Sequence, residues 1–388
     1  MRVAGGLKGN LAVLLAAIFL IACAEELWGR FIPNYIRAVG GSVIAVAAYG
    51  TFKDFLDAIY QFPGGVVTAR LGYRNSLVLF NVVAVLGYAC FALAGRWWVL
   101  LLALPLVMAW QSFSLPATFS LIGDSLPKGE RSVAFAYQSI IRRIPIVVAP
   151  IVGGTIITAY GVLHGTRIAL YIGIAIGIAA IAVQLTRYST RTGSPSALGV
   201  VLQDVTALHP RLKRLLLSDI IVRFGQGTAE IFIVLYVVQT LGFTSAAFGW
   251  YVGLAMATSL LVYVPFARLA DARGREPWVT LTYVFFALFP LSLAFARNAY
   301  MLAIAFVLMG LREIGEPPRK AMIVDLARED RRSIDVGSYY LVRGLAVFPA
   351  SLLGGLLWRI APQYTFLSAS LIAAIGAVVF YFVVARTA

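Results

Sequence analysis

Ionisable side chains recur in the middle of long apolar stretches of this chain, where a membrane would have to accommodate them. In the first half they are Glu25, Glu26 and Arg30, then Lys53, Asp54 and Asp57, then Arg142 and Arg143. In the second half they are Asp219, Arg223 and Glu230, then Arg312, Glu313, Glu316, Arg319 and Lys320, then Arg343. Each costs roughly 3 kcal/mol at a bilayer centre on insertion scales, so this many are tolerated only if paired or hydrated. Spacing supplies some partners: Glu26 with Arg30, Lys53 with Asp57, Asp219 with Arg223 and Arg312 with Glu316 are each four apart, on one helical face. For these, structural pairing is favoured over ligand contact, because a buried pair needs no ligand to justify it. Arg319 and Lys320 are expected to snorkel toward the interface from near a helix end.

Arg142 and Arg343 have no acid three or four positions away, and each lies ten residues into its helix, roughly 15 Å deep. Two readings stay open for them. Facing each other across a central cavity, the guanidiniums suit a carboxylate or phosphate through bidentate hydrogen bonds. Alternatively each pairs with an acid on a neighbouring helix, such as Asp54 or Glu313, and fixes its own half. Tyr137, Tyr339 and Tyr340, near the arginines in sequence, and Gln111 and Gln226 complete the candidate substrate-binding set. Glu25 and Glu26 point about 100° apart on a helix, so only one readily uses Arg30. The other is a candidate proton carrier, since a carboxyl in a low-dielectric cavity exchanges protons near neutrality. Asp54, Asp57, Glu313 and Glu316 join it as candidates, with Glu25 first.

These residues must be positioned by membrane helices. The 388 residues are 61% hydrophobic and 13% charged. Long uniformly apolar runs without period-two alternation are helices rather than barrel strands. Twelve spans are predicted, starting near Asn10, Ser42, Arg74, Trp97, Ser132, Thr166, Lys213, Thr244, Pro277, Tyr300, Ser333 and Gln363. The first is read as a retained span, because no small-residue cleavage site follows it. The polar stretch Arg187 to Arg211 divides the chain into an N-terminal six-helix half (1–188), a linker (189–212) and a C-terminal half (213–388). The net charge of +15 does not signal nucleic acid: its arginines and lysines gather at the termini and in even-to-odd loops, which predicts cytoplasmic termini in a cell inner membrane. The third, sixth, ninth and twelfth spans lack internal charge and are expected at the periphery.

The second half also repeats the first. Asp124, Arg131, Ser132, Arg142, Gly153 and Gly154 return 201 positions later as Asp325, Arg332, Ser333, Arg343, Gly354 and Gly355, and Tyr35 returns as Tyr236. Two-half duplication in a membrane chain is the pattern of secondary transporters. The loop after the second span, with Gly65, Arg70, Gly72 and Arg74, and its counterpart with Asp271, Arg273, Gly274 and Arg275, resemble the loop signature of the major facilitator superfamily. Ala69 stands where the family has Asp, and Ala272 where a basic residue is usual. The resemblance implies that these loops latch the two halves. In the fifth span, Ala149-Pro150 and Gly153-Gly154 resemble a motif of the superfamily's proton-driven exporters. Pro349 with Gly354-Gly355 repeats it in the eleventh span, so helix packing explains it equally well.

No glycine-rich loop ends in Gly-Lys-Ser/Thr, which argues against ATP-driven transport. Two loop histidines, His164 and His209, with lone Cys23 and Cys90 supply neither a catalytic constellation nor a metal site, so no enzyme activity, cofactor or metal is expected. The expected protein is an all-α integral membrane transporter, acting as a monomer on protons and a small charged or amphiphilic solute, with export favoured by the fifth-span motif. An organic-anion or phosphate-ester carrier using Arg142 and Arg343 is the alternative, and a transporter-like sensor or scaffold a remote one.

Overall fold

Long apolar sequences satisfy their own backbone hydrogen bonds only as helices, and helices are what this chain forms. The computed structural model describes the backbone of residues 2–111, 114, 131–187, 208–328 and 332–387, and the side chains of these except 2–11, 61–66, 69, 73, 131–140, 187, 271, 332–334 and 387. The helices are α1 (Arg2–Trp28), α2 (Ile32–Ala38), α3 (Val43–Ala92), α4 (Trp97–Val107), α5 (Arg131–Arg187), α6 (Pro210–Glu230) and α7 (Ser245–Arg273). They continue as α8 (Glu276–Phe295), α9 (Ala299–Leu311), α10 (Glu316–Leu326), α11 (Arg332–Val347), α12 (Ala350–Trp358) and α13 (Pro362–Val383).

Breaks and starts follow from residue chemistry. α3 breaks at Gly72, whose φ of 71° and ψ of 163° are a combination essentially confined to glycine and costing other residues about 1–3 kcal/mol. α5 breaks likewise at Gly161, with φ 77°. Asn298 caps α9 by accepting the Met301 backbone N–H at 2.9 Å. Pro210, Pro277 and Pro362 occupy first turns, where a missing N–H is harmless.

Among the described residues, 8 helical stretches are long and apolar enough to cross a membrane. One of them, Ile141–Thr186, runs 46 residues and contains the Gly161 break, which is length for two crossings. The segment led by Val43 carries Lys53, Asp54 and Asp57, and the stretch from Ala299 is interrupted by a turn at 312–315, so neither has an uninterrupted apolar window. Exposed Val284, Leu288, Leu291 and Phe295 on α8 and Leu371, Ile375, Val378 and Phe382 on α13 recur at helical spacing, forming apolar stripes of the kind that face lipid.

The chain forms two compact units. Unit 1 comprises Met1–Gly41, Ile59–Gly199 and Thr244–Gly249; unit 2 comprises Ser42–Ala58, Val200–Phe243 and Trp250–Ala388. In unit 1, α1 lies along α5, and the Trp28 ring meets Tyr88 edge-on at 5.1 Å and Phe91 at 5.8 Å. In unit 2, α6 packs on α13 and α13 on α8, enclosing Leu212, Leu215, Val222, Tyr283, Phe286 and Phe380.

The sequence repeat is also a repeat of contacts. A Cβ on Gly153 would stand 1.8 Å from the Leu27 carbonyl oxygen, and one on Gly354 would stand 2.0 Å from that of Thr228, 201 positions on from Leu27. Backbone therefore meets backbone where only glycine fits. The neighbouring Gly154 approaches the Ser245 carbonyl oxygen within unit 1 (2.3 Å from a built Cβ), and Gly355 approaches Ala47 within unit 2 (2.5 Å). Tyr35 donates to the Phe91 carbonyl at 3.0 Å, and Tyr236 to the Ala294 carbonyl at 3.2 Å.

Candidate functional site

Helix α6 places Asp219, Arg223, Gln226 and Glu230 at offsets of four, three and four, which puts all four on one face of the helix. That face meets Tyr283 and Phe286 of α8, the turn and helix carrying Arg312, Glu316 and Arg319, and Tyr339, Tyr340 and Arg343 of α11. All belong to unit 2.

Asp219 is the hub and is fully buried, at 0% exposure. Its Oδ2 accepts from Arg319 Nη1 at 2.7 Å, Tyr339 Oη at 2.9 Å and Arg343 Nη1 at 3.2 Å. Its Oδ1 accepts from Tyr283 Oη at 3.2 Å and lies 3.6 Å from Arg223 Nε. Glu316 is the second acid: Oε2 accepts from Arg319 Nη2 at 2.9 Å, and Oε1 bonds Arg223 Nη2. Three guanidiniums therefore share two carboxylates, leaving one positive charge in excess within this group. Two donors inside it, Nε of Arg223 and Nε of Arg319, are buried without a hydrogen-bond acceptor. An unmet buried N–H costs about 1–3 kcal/mol, more when charged, so this group is primed for a further acceptor.

Around this core, Gln226 accepts from Arg223 Nη1 at 2.8 Å and donates to Glu230 at 3.4 Å. Arg312 donates to Glu230 at 3.4 Å and stands over the Phe286 and Phe289 rings at 5.0 and 4.8 Å. Arg343 lies over the Tyr340 ring, 4.7 Å from its centroid. Asp54, on the segment of α3 that belongs to unit 2, lies within electrostatic range of Lys53, Asp57 and Glu230.

Arg343, Tyr339, Tyr340, Gln226 and Glu316 thus converge on one cluster, in which the acid beside Arg343 is Asp219, not Asp54 or Glu313. Two sequence-based expectations are corrected. Arg319 does not snorkel: it is 2% exposed, because Asp219 and Glu316 on facing elements hold it inside. Arg312 pairs with Glu230 rather than with Glu316, because the helix gives way to a turn at 312–315 and the four-residue spacing loses its geometry. Gly315 makes that turn possible by packing against the Trp278 carbonyl oxygen, 2.5 Å from a built Cβ, while its N–H meets Thr282 Oγ1. Glu313 is half-buried in the same turn.

The remaining candidates lie elsewhere. In unit 1, Glu25 accepts from Tyr88 Oη at 3.0 Å, and Glu26 holds Arg30 at 2.8 Å. Arg142 is exposed on α5 and Gln111 half-buried, while Asp57 of unit 2 is exposed. Of Gly65, Tyr137 and Asp271 only the helical backbone is described, and Asp124 lies outside the described residues. Arg74 donates to the Leu185 carbonyl at 3.1 Å, Arg70 and Arg273 are exposed, and Gly274 turns with φ 90°. Arg275 pairs with Asp325. Pro150, Gly153 and Gly154, with Pro349, Gly354 and Gly355, sit at the close helix contacts already described. Among the described residues no group of three or more His, Cys, Asp or Glu is arranged to hold a metal ion.

The cluster has no twin. Counting back 201 positions, Asp219 corresponds to Ile18, Arg223 to Ala22, Glu316 to Leu115, Arg319 to Thr118, Tyr283 to Val82 and Tyr339 to Gln138. The repeat keeps Arg142 and Arg343, but the residue types that surround Arg343 do not recur 201 positions earlier. Tyr283 escaped sequence reasoning because it lies on a span with no internal charge.

A sequence model of the Major Facilitator Superfamily matches residues 14–213 and 215–388. An uncharacterized MFS-type transporter of Methanocaldococcus jannaschii is 35% identical over 121 residues, which is 31% of this chain and 30% of that relative's length. Among solved structures, the nucleoside transporter NupG aligns with TM-score 0.74 at 13% identity, over 97% of this chain and 99% of that one. A peptide transporter POT in complex with sulfate aligns with TM-score 0.76 at 14% identity, over 97% and 94%. A bacterial homolog of the human lysosomal transporter Spinster aligns with TM-score 0.73 at 15% identity, over 98% and 96%. At such identities the likeness is one of fold.

Proposed function

Because the chain belongs to the major facilitator superfamily of membrane transporters, we propose that it carries a small organic anion across the membrane together with protons, by alternating access. The proposal takes the chain as a monomer of twelve spans in two halves (1–188 and 213–388) joined by the linker 189–212, with both termini cytoplasmic in a cell inner membrane. The observation that carries it is the Asp219 cluster: three buried or half-buried arginines against two acids, with two guanidinium N–H groups lacking acceptors. A carboxylate or phosphate ester brings the missing negative charge and offers two acceptor oxygens to a guanidinium.

In this reading Arg343 is the solute's first contact. It is the more accessible of the arginines on Asp219, and its flat face is already set by Tyr340. An incoming anion takes Arg343 from Asp219, leaving that carboxylate held by Arg319, Arg223 and two phenols. In this reading a proton enters the cluster together with the solute, with Glu316 as its carrier. Glu25 and Asp54 are the other carboxylates through which a proton could pass. Export gains no support from the fifth-span motif, since close contact with Leu27 and Ser245 accounts for Gly153 and Gly154 through packing alone.

Proteoliposomes containing the purified chain test this with a panel of labelled carboxylates and phosphate esters under an imposed pH gradient. Uptake of at least one anion should respond to the gradient. Arg343→Lys should abolish it, since a point charge cannot reproduce the bidentate fork, whereas a cationic substrate would be largely spared. Absence of any gradient-dependent anion flux, or unimpaired flux in Arg343→Lys, would overturn the proposal.

A further inference from the structure

A second basic site lies away from the Asp219 cluster, at the opposite end of α6. A cavity of about 300 Å³ opens in unit 2 beside Arg211 and Arg214 near the start of α6, Arg275 between α7 and α8, and Asp325 near the end of α10, with Val383 and Val384 at the end of α13 as apolar wall. All these helix ends fall on the basic face that the arginine pattern predicts to be cytoplasmic. We propose that this cavity binds the phosphate headgroup of an anionic phospholipid from that leaflet.

Arg211 and Arg214 are three apart on one helical face and both are exposed, so the two guanidiniums reach the mouth from the same side. Arg275 faces them and is held by Asp325, whose side chain is 60% exposed and therefore open to exchange. Among the described lining residues these three arginines stand against two acids, Asp325 and Glu276, so the described lining is net basic. The positive ends of the 21-residue α6 and the 20-residue α8 also point here, adding to the field that favours an anion. The volume, at the low end of ligand pockets, fits a phosphate and its glycerol rather than a whole lipid, and the two valines lead toward the acyl region. Basic pockets of this kind between membrane helices are where anionic headgroups settle.

Native mass spectrometry of the full chain released from micelles containing equal phosphatidylglycerol and phosphatidylcholine tests the site. The wild-type chain should retain phosphatidylglycerol selectively, and Arg211→Gln and Arg214→Gln should each lower that retention roughly fivefold. Asp325→Asn should raise it, by removing the carboxylate that competes for Arg275; a gain of binding cannot come from misfolding. Equal retention of both lipids, wild-type retention by the Arg211→Gln/Arg214→Gln double variant, or no gain in Asp325→Asn would overturn the site. Inorganic phosphate, added to delipidated protein in a thermal-shift assay, should stabilise less than phosphatidylglycerol does. Equal stabilisation by phosphate alone would assign the pocket to the free ion and overturn the lipid reading.

Discussion

Replacing Asp219 by asparagine keeps the side chain's shape and removes one charge, leaving Arg223, Arg319 and Arg343 with Glu316 as their sole acid in the group. Arg319, at 2% exposure, cannot turn to water for compensation. Removing one partner from a buried ion pair costs about 3–5 kcal/mol, mostly as the penalty on the charge left behind. In a unit of this size each kcal/mol moves a melting temperature by about 2–4 °C, so a fall between about 6 and 20 °C is expected. Glu26→Gln is the internal control: it leaves one guanidinium, Arg30, that is 26% exposed, rather than three around a fully buried acid, so its loss should be the smaller. A thermal-shift assay on detergent-purified variants measures both. Combining Asp219→Asn with Arg319→Met restores the charge balance, so the double variant should lose less than the two single losses added together. The reasoning fails if Asp219→Asn costs no more than Glu26→Gln, or if the double variant is simply additive.

Glu316→Gln should leave anion exchange between equal pools intact while abolishing pH-driven accumulation, measured by counterflow and gradient uptake in the same liposomes. Gly153→Ala and Gly354→Ala should each destabilise the chain by about 1–3 kcal/mol or more, because their methyl groups would meet carbonyl oxygens; melting temperature reads this directly. At Gly72, with φ 71° and ψ 163°, a backbone region that only glycine enters readily, alanine and asparagine should both cost about 1–3 kcal/mol in the same assay.

Much of the frame was legible in the residues. Helix starts at Val43, Trp97, Arg131, Pro210, Ser245, Glu276, Ala299, Arg332 and Pro362 lie within three residues of expected span starts, because apolar runs begin where polar or proline residues end the preceding loop. The cluster was legible only in pieces. Asp219 and Arg223 were visible as a pair, but Arg319 lies 100 residues from Asp219, and no spacing rule joins them. Helix-by-helix reading therefore sent Arg319 toward the interface. The lost Arg312–Glu316 pairing was announced by Gly315-Glu316-Pro317-Pro318, a break signal that outweighs a four-residue spacing. Arg142 and Arg343 looked equivalent because the repeat preserves them. Their surroundings differ because Ile18 stands where Asp219 would have to be.

The exchange of segments between sequence halves and compact units bears on how the protein can be divided. Unit 2 includes Ser42–Ala58 from the first half of the chain, and unit 1 includes Thr244–Gly249 from the second. A gene cut in the linker region would yield two polypeptides, each lacking a strip that its own unit buries, with Gly355 deprived of Ala47 and Gly154 of Ser245. Neither fragment would be self-sufficient. Produced together they should survive as an obligate heterodimer, and produced singly they should be degraded, so the chain's duplication stops short of giving two independent halves.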